Sequence, residues 1–409
     1  MNNVIVIVGA GPAGLLAAIA LGKQNKRVLI LEKNNVAGKK LLLSGAGQCN
    51  VTHGGSMTSY AHHYGDHYKY IKRALSFFTN EDTVDFFEKQ GLDMEQLENG
   101  KIFPKTRLAS DVLGILLKES AKNGVVIHYN APVSEIVLRG DTYFITTLKE
   151  TYEASHLIIA TGGMSYPKTG STGDGYIFAK ALGHKIIQPR PALTPVEIKD
   201  FPFSDLAGMS FEKTSLSIWK NGKKEQHCTG DMLFTHKGLS GPVILNNSRW
   251  IEAEDMLYVN FIKNHNMASF NELLLAQIDQ NGKNMIKTVL RQYDLPKRLL
   301  DAVLTHIGID EDAQCAQINK EARNLLVGSL VAFPFSVSKL GGFHIAMVTA
   351  GGVCMKKINP TTMASRLHQN LYFIGEVLDI DGDTGGYNIQ AALSSAVLCA
   401  NKIQRKEKK

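Results

Sequence analysis

Cysteine and long apolar runs are scarce in this 409-residue chain, and acid falls short of base. The five cysteines, Cys49, Cys228, Cys315, Cys354 and Cys399, are odd in number and scattered, with no Cys-x-x-Cys among them. That excludes a disulfide framework and a structural zinc site; no metal is expected, and the thiols are read as reduced and mostly buried. No stretch reaches the ~18 apolar residues of a membrane span. Only Met1-Asn2-Asn3 precede the first apolar run, which leaves no room for a basic leader and cleavage site, so a cytoplasmic protein is expected. Lys and Arg outnumber Asp and Glu, 45 to 38, for a net charge of +7. Such a surplus suits phosphate-bearing ligands and attracts nucleic acid. The basic tail from Arg405 to Lys409 is read as a solvated terminus.

What is present begins at the amino end. Val4 to Val8 reads as a buried parallel strand and runs into Gly9-Ala10-Gly11-Pro12-Ala13-Gly14, followed by a helical apolar pattern to about Lys23. A second strand, Arg27 to Leu31, ends in Glu32, eighteen residues past Gly14, with Lys33 next. Gly-x-Gly-x-x-Gly carries weight only in this strand–turn–helix setting. Gly9 permits the tight turn, Gly11 lets backbone approach a pyrophosphate, and Gly14 lets helix pack on strand. The helix start at Pro12 and Ala13 turns its positive end toward phosphates, and Glu32 can accept hydrogen bonds from a ribose diol. The chain is read as binding a dinucleotide.

A chain this long exceeds one core, so two or three domains are expected. Residues 33–66 are loop-like, and a loop of that length inside a domain is usually functional. Helical periodicity predicts one helix from Tyr68 to Gln90 and another from Ala109 to Asn123, stopped by Gly124. Val125–Tyr129, Val133–Leu138 and Tyr143–Leu148 read as strands. His156–Ala160 is a further strand that enters Thr161-Gly162-Gly163, so a meander returns to the parallel sheet. Pro189, Pro191, Pro195 and Pro202 mark a boundary. Beyond it come a strand at Thr214–Trp219 entering an Asn221-Gly222 hairpin, a strand at Leu257–Ile262, and a helical pattern over 269–331. Sheet and loop resume near Gly341, and a last helix runs from about Asn388 to Ile403.

A second cluster closes the chain. The strand Leu371–Ile374 ends at Gly375-Glu376, and Gly385-Gly386-Tyr387-Asn388-Ile389-Gln390 opens the last helix. The carboxylate suits ribityl hydroxyls. The helix start suits an electron-rich ring, and its dipole favours a reduced flavin, which carries negative charge. Between the clusters, Gly38-Lys39-Lys40 and Ser44 to Thr52, including Gly45, Asn50, Val51 and Thr52, offer small residues and donors as a wrapper around phosphates and ring. Gly170–Gly175 precedes a helix that Thr172 or Asp174 could cap; a place beside the flavin stands equally. Lys101–Pro104 and Tyr166–Lys168 read as cleft lining or as turns.

These motifs resemble those of the HI0933-like (BaiN-like) flavoproteins, a branch of the two-dinucleotide-binding-domain FAD superfamily. The resemblance covers almost the whole chain. It rests on Gly9–Gly14 with Glu32, Gly38–Thr52, Ala160-Thr161-Gly162-Gly163, Leu233 to Pro242, Gly351-Gly352-Val353 and Gly375–Gln390. It implies bound FAD and an α/β fold: a Rossmann-like FAD-binding domain, parallel sheet plus β-meander, over residues 1–190 and 341–409. A β-rich subdomain (191–268 and 326–340) and a helical subdomain (269–325) would interrupt it. Cofactor contacts are expected at Gly9, Gly11, Pro12, Ala13, Gly14, Glu32, Lys33, Lys39, Lys40, Gly45, Asn50, Val51 and Thr52. They are also expected at Thr161, Gly162, Gly375, Glu376, Gly386, Tyr387, Asn388 and Ile389, with backbone contact from Val133 to adenine. Gln48 stands where the family usually has arginine, which removes a fixed cation beside Cys49.

His236, inside the family's insert phrase, is the candidate proton donor or substrate contact; holding its turn is the structural alternative. Cys49 has no thiol neighbour, which excludes a flavin disulfide reductase. The implied activity is an FAD-dependent oxidoreductase moving hydride between flavin N5 and a small-molecule or RNA substrate. Only one dinucleotide fingerprint exists, so NAD(P)H, if it is the donor, binds transiently. Reduction of conjugated double bonds, reduction of uridine in ribosomal RNA and oxygen-dependent oxidation of small amines all lie within the family's range. An RNA-binding scaffold that keeps FAD for stability is the competing class.

Overall fold

Short β-branched runs set the centre of the first part of the fold. The computed structural model describes residues 4–406, so the tail from Glu407 lies outside the described residues. Leu371–Phe373, His156–Ile159, Val4–Val8, Arg27–Leu31 and Val126–His128 lie side by side and parallel, in that order. Ala364–Ser365 and Ile358–Asn359 extend the sheet antiparallel to seven strands. Val8 is level with Leu31 on one side and Ile159 on the other, and Ile159 with Phe373. That register brings Gly9, Glu32, Ala160 and Ile374 to one edge, the carboxyl end where open α/β sheets hold their ligands. The helix Pro12–Gly22 has no charged residue and is buried at nearly every position. Val133–Arg139, Thr142–Thr147 and Thr151–Ala154 form the meander as a separate sheet.

Where periodicity predicts one helix over 68–90, there are two, Tyr68–Phe77 and Asn80–Glu88. Thr79 is extended and caps the second: its Oγ1 accepts from the Asp82 N–H (3.1 Å), and the Asp82 carboxylate accepts from the Thr79 N–H (2.8 Å). A cap of this kind is worth about 1 kcal/mol. The carbonyls exposed by the break are met from the last helix, Tyr387–Lys406. Gln390 Nε2 donates to Phe78 and Thr79, and Ser394 Oγ to Phe78. Lys101–Pro104 is a strand, paired with Thr52–His53 and Met94–Gln96.

The chain divides into two units, Met1–Ala192 with Phe343–Lys409, and Leu193–Gly342. The second contains a closed barrel in the order Val196–Ile198, Gly238–Ser240, Lys223–Phe234, Ser210–Lys220, Met256–Asn260 and Phe333–Leu340. Asn221 and Gly222 both have positive φ, 49° and 74°, as a two-residue hairpin turn requires. The helices Met267–Gln280, Ile286–Leu290, Lys297–His306 and Lys320–Val331 share one apolar core with the barrel, through Phe203, Phe234 and Phe335 with Leu274, Leu300 and Leu326. Among the described residues no helix is long and apolar enough to cross a membrane, and no cluster of metal-ligating side chains occurs.

His184, buried in the first unit, meets Ser365 Oγ at 2.9 Å. Burial and then His368 push its pKa down from 6.5 to about 4. The folded state therefore prefers neutral imidazole: this stability is complete above pH 6.5 and is lost as pH falls toward about 4. Thermal denaturation across that window should show a steeper loss for the wild type than for His184→Gln. Equal slopes would show that the group is not coupled to unfolding.

Candidate functional site

Three turns meet at the carboxyl edge of the sheet, and glycine is what lets them. A methyl on Gly9 (φ 106°) would stand 2.6 Å from the Ala160 carbonyl oxygen, and one on Gly14 would stand 2.0 Å from that of Gly9. On Gly375 (φ 71°) it would reach Ala13 Cβ at 2.9 Å. The amino-terminal turn thus touches both the Ala160–Gly163 turn and the turn that begins at Gly375. Gly11 differs: nothing lies within 4 Å of its missing methyl, and no side chain caps the helix that starts at Pro12. Open space in front of an uncapped helix start fits a pyrophosphate.

Glu32 is buried and oriented from three sides. Its carboxylate accepts from the Ala10 N–H (2.9 Å), the Asn34 N–H (2.8 Å) and Asn34 Nδ2 (2.8 Å). Lone pairs are left over for a ribose diol. Asn34 also donates to the Thr169 carbonyl and accepts from Lys39 Nζ (3.2 Å). The Ala131 N–H donates to the Glu32 carbonyl (2.9 Å), which brings the start of the Val133 strand to the same edge. Lys33 turns elsewhere, to Asp174 (2.6 Å) and Thr172. Neither of those caps the helix Asp174–Ala181, whose N-cap is Gly173 at φ 84° with no side-chain bond.

Glu376 is held more tightly. Lys40 Nζ donates to both carboxylate oxygens (2.8 and 2.6 Å), and Ser165 Oγ (3.0 Å) and the Thr349 N–H (2.9 Å) donate to Oε1. Gly163 leaves the room: a methyl there would stand 2.4 Å from Thr349 Oγ1 and 3.0 Å from Glu376 Oε1. Nothing local in the sequence marks Ser165 or Thr349. Nearby, Thr161 Oγ1 is buried without a protein partner, beside Gly162 at φ 74°. Buried hydroxyls are almost always satisfied, so a bound group fits there.

At the second helix start a methyl on Gly386 (φ 95°) would lie 2.6 Å from the Thr52 backbone. In the orientation that satisfies both its ends, the Asn50 amide donates to the carbonyls of Ile102 (3.1 Å) and Thr52 (2.9 Å) and accepts from the Gly386 N–H (3.2 Å). Gly45, at φ 56°, passes close beneath Asn50, and the Val51 N–H pairs with Ile102. Tyr387 is buried under His63, stacked at 4.0 Å, and His53, at 5.0 Å; Tyr64 donates to its carbonyl (2.7 Å). Asn388 closes the turn by accepting from the Gly382 N–H (2.8 Å) and donating to the carbonyls of Gly382 and Asp383, while Ile389 is half-buried.

His63 meets Asp383 at 3.0 Å, and His67 meets Asp381 at 3.3 Å and Asp379 at 3.9 Å. Burial holds the Asp379 carboxyl above its ordinary pKa, with His67 opposing in part. These pairs are absent from the sequence reading, although the alternation Asp379-x-Asp381-x-Asp383 was visible. His236 belongs to the second unit, where it is exposed on a turn. That turn is held by the Thr235 N–H to Gly238 (2.8 Å) and the Lys237 N–H to Thr235 Oγ1 (3.3 Å), not by the histidine.

Residues 3–402 match the family described as HI0933-like protein Rossmann domain. A ribosomal RNA dihydrouridine synthase of Haemophilus influenzae is 34% identical over 407 residues, 98% of each chain. A 3-dehydro-bile acid delta(4,6)-reductase of Clostridium scindens is 29% identical over 405 residues, 97% of this chain and 98% of that one. Among solved structures, the open conformation of a flavocytochrome c3 fumarate reductase superposes with a TM-score of 0.50 at 15% identity. It covers 98% of this chain and 78% of that one, a likeness of fold.

Replacing Lys40 by methionine strips the cation from a carboxylate only 20% exposed. A largely buried carboxylate without its partner is costly and reorients or protonates. Flavin released on dialysis, read by fluorescence, should show FAD affinity at least about tenfold weaker in Lys40→Met, roughly 1.4 kcal/mol. Lys89→Met, which removes an exposed pair with Asp85, should leave it unchanged. Equal affinities would detach the Lys40–Glu376 pair from the cofactor.

Proposed function

The chain belongs to the HI0933-like family, and from that premise we propose that this FAD-dependent oxidoreductase saturates a carbon–carbon double bond conjugated to a carbonyl, with uridine in ribosomal RNA as its substrate. The observation that carries the cofactor half of the reading is the close approach of Gly375 to Ala13, which joins the two glycine turns into one cradle. In this reading the backbone at Gly11 and Ala13, with Glu32, holds the adenosine and pyrophosphate half. Glu376, oriented by Lys40, Ser165 and Thr349, holds the ribityl chain, and the Gly386–Asn388 helix start faces the ring. Bound FAD supplies hydride chemistry. The helix start stabilises negative charge near it by about 0.3–1 kcal/mol, more where water is excluded.

Two related names support the choice of bond. Dihydrouridine is uridine saturated next to a ring carbonyl, and a delta(4,6)-reductase of a 3-dehydro bile acid saturates a double bond conjugated to the 3-oxo group. The net charge of +7 favours the polyanion of the two. NAD(P)H is proposed as the electron donor, bound only in passing. A histidine supplies the accompanying proton: His63, oriented by Asp383, or His236.

Anaerobic titration with NADH and NADPH should bleach the oxidised flavin spectrum. Deproteinised ribosomal RNA from cells lacking the gene should then gain two hydrogens at a uridine, read by mass. His63→Gln or His236→Gln should slow saturation while reduction by the nucleotide stays intact, and the affected variant identifies the donor. Saturation of a steroid enone with uridine untouched would replace RNA by a small enone. Peroxide release with an amine and no bleaching by either nucleotide would make the protein an oxidase.

A further inference from the structure

We propose that the solvent face of the helix Tyr68–Phe77, with His62 just before it, is the surface that grips the phosphates of the RNA substrate; this rests on the RNA reading above. From His62 to Arg73 the chain carries His62, His63, His67, Lys69, Lys72 and Arg73 against a single acid, Asp66. Lys69, Lys72 and Arg73 are spaced i, i+3, i+4, which places them on one helical face. All three are exposed, while Ile71, Ala74 and Leu75 are buried on the other side.

These cations are unpaired among the described residues, Lys69 lying only over the Tyr70 ring at 5.2 Å. Other exposed lysines have found acids: Lys89 with Asp85 (2.9 Å), Lys105 with Asp93 (3.2 Å) and Lys199 with Glu254 (2.6 Å). The next helix, Asn80–Glu88, carries Glu81, Asp82, Asp85 and Glu88 and no base. Charge is therefore segregated along 62–88 rather than mixed, and a positive face bordered by a negative one orients a polyanion as well as attracting it. Half-buried Tyr68 and Tyr70 pack against the core of the first unit and so seat the helix that carries the lysines.

The face is also tied to the candidate site. His63 to Asp383 (3.0 Å), His67 to Asp381 (3.3 Å) and the Tyr64 hydroxyl to the Tyr387 carbonyl (2.7 Å) bind its leading segment to the turn that opens the last helix. Phosphates held on this helix would have a nucleotide within reach of that turn.

The test uses the FAD-loaded full chain and deproteinised bacterial ribosomal RNA as probe. It compares Lys69→Gln/Lys72→Gln/Arg73→Gln with a charge-matched control at exposed lysines elsewhere, Lys118→Gln/Lys180→Gln/Lys224→Gln. Three lost phosphate contacts on single-stranded RNA should reduce the slope of log K against log salt by about two. Affinity at ~0.1 M salt should fall about tenfold or more, with FAD content, thermal midpoint and NADPH reduction rate unchanged. An unchanged slope, or an equal loss in the control, would overturn the surface while the RNA reading survives. Slower NADPH reduction with RNA binding intact would assign the cations to that nucleotide's phosphates and overturn the proposal. Wild-type protein that fails to bind the RNA at any salt would sink the RNA reading and this surface together.

Discussion

Backbone must touch backbone at the carboxyl edge of the parallel sheet, and the rest of the first unit is arranged around that contact. Gly9 against Ala160, Gly14 against Gly9, and Gly375 against Ala13 leave no room for a methyl group. A side chain at any of them would force a turn outward, away from the neighbours of the uncapped helix start. Gly11 sits among them with open space in front, so the same small residues that close the packing also leave a cradle. Parallel register does the rest, because Val8, Leu31, Ile159 and Phe373 end level and deliver four loops to one line.

Polar groups at this edge are satisfied mainly by one another. Glu32 is oriented by Ala10 and Asn34, and Glu376 by Lys40, Ser165 and Thr349. Each carboxylate is fixed before any ligand arrives, which lowers the ordering cost of binding. Thr161 is the contrast, a buried hydroxyl with no protein partner. Such a group is tolerated when something outside the chain completes it.

The last helix reaches further than its glycine-rich start. Gln390 and Ser394 meet the carbonyls exposed where the 68–88 segment breaks, and Asp381 and Asp383 meet the histidines of the segment before it. The break at Thr79 is therefore supported from two sides, by its own capping box and by a helix over three hundred residues away. Apolar periodicity runs on through the break and hides it; Thr79 followed by Asp82 was the only local sign. The exposed cations of Tyr68–Phe77 inherit a fixed position from the same anchors.

Sequence alone determined the parallel strand–turn–helix unit, the positions where glycine is required, the meander and the hairpin at Asn221-Gly222. Apart from the glycine positions, where Gly9 is crowded by Ala160 and Gly375 by Ala13, the deciding interactions lie close together along the chain, so spacing expresses them directly. Tertiary structure alone decided that Lys33 turns to Asp174, that Ser165 and Thr349 join Lys40 on Glu376, and that His63 meets Asp383 while stacking on Tyr387. Apart from Thr349 and Glu376, 27 residues apart, these partners stand more than a hundred residues apart along the chain. Which of them meet depends on where whole loops come to rest, and no local pattern of residue types records that.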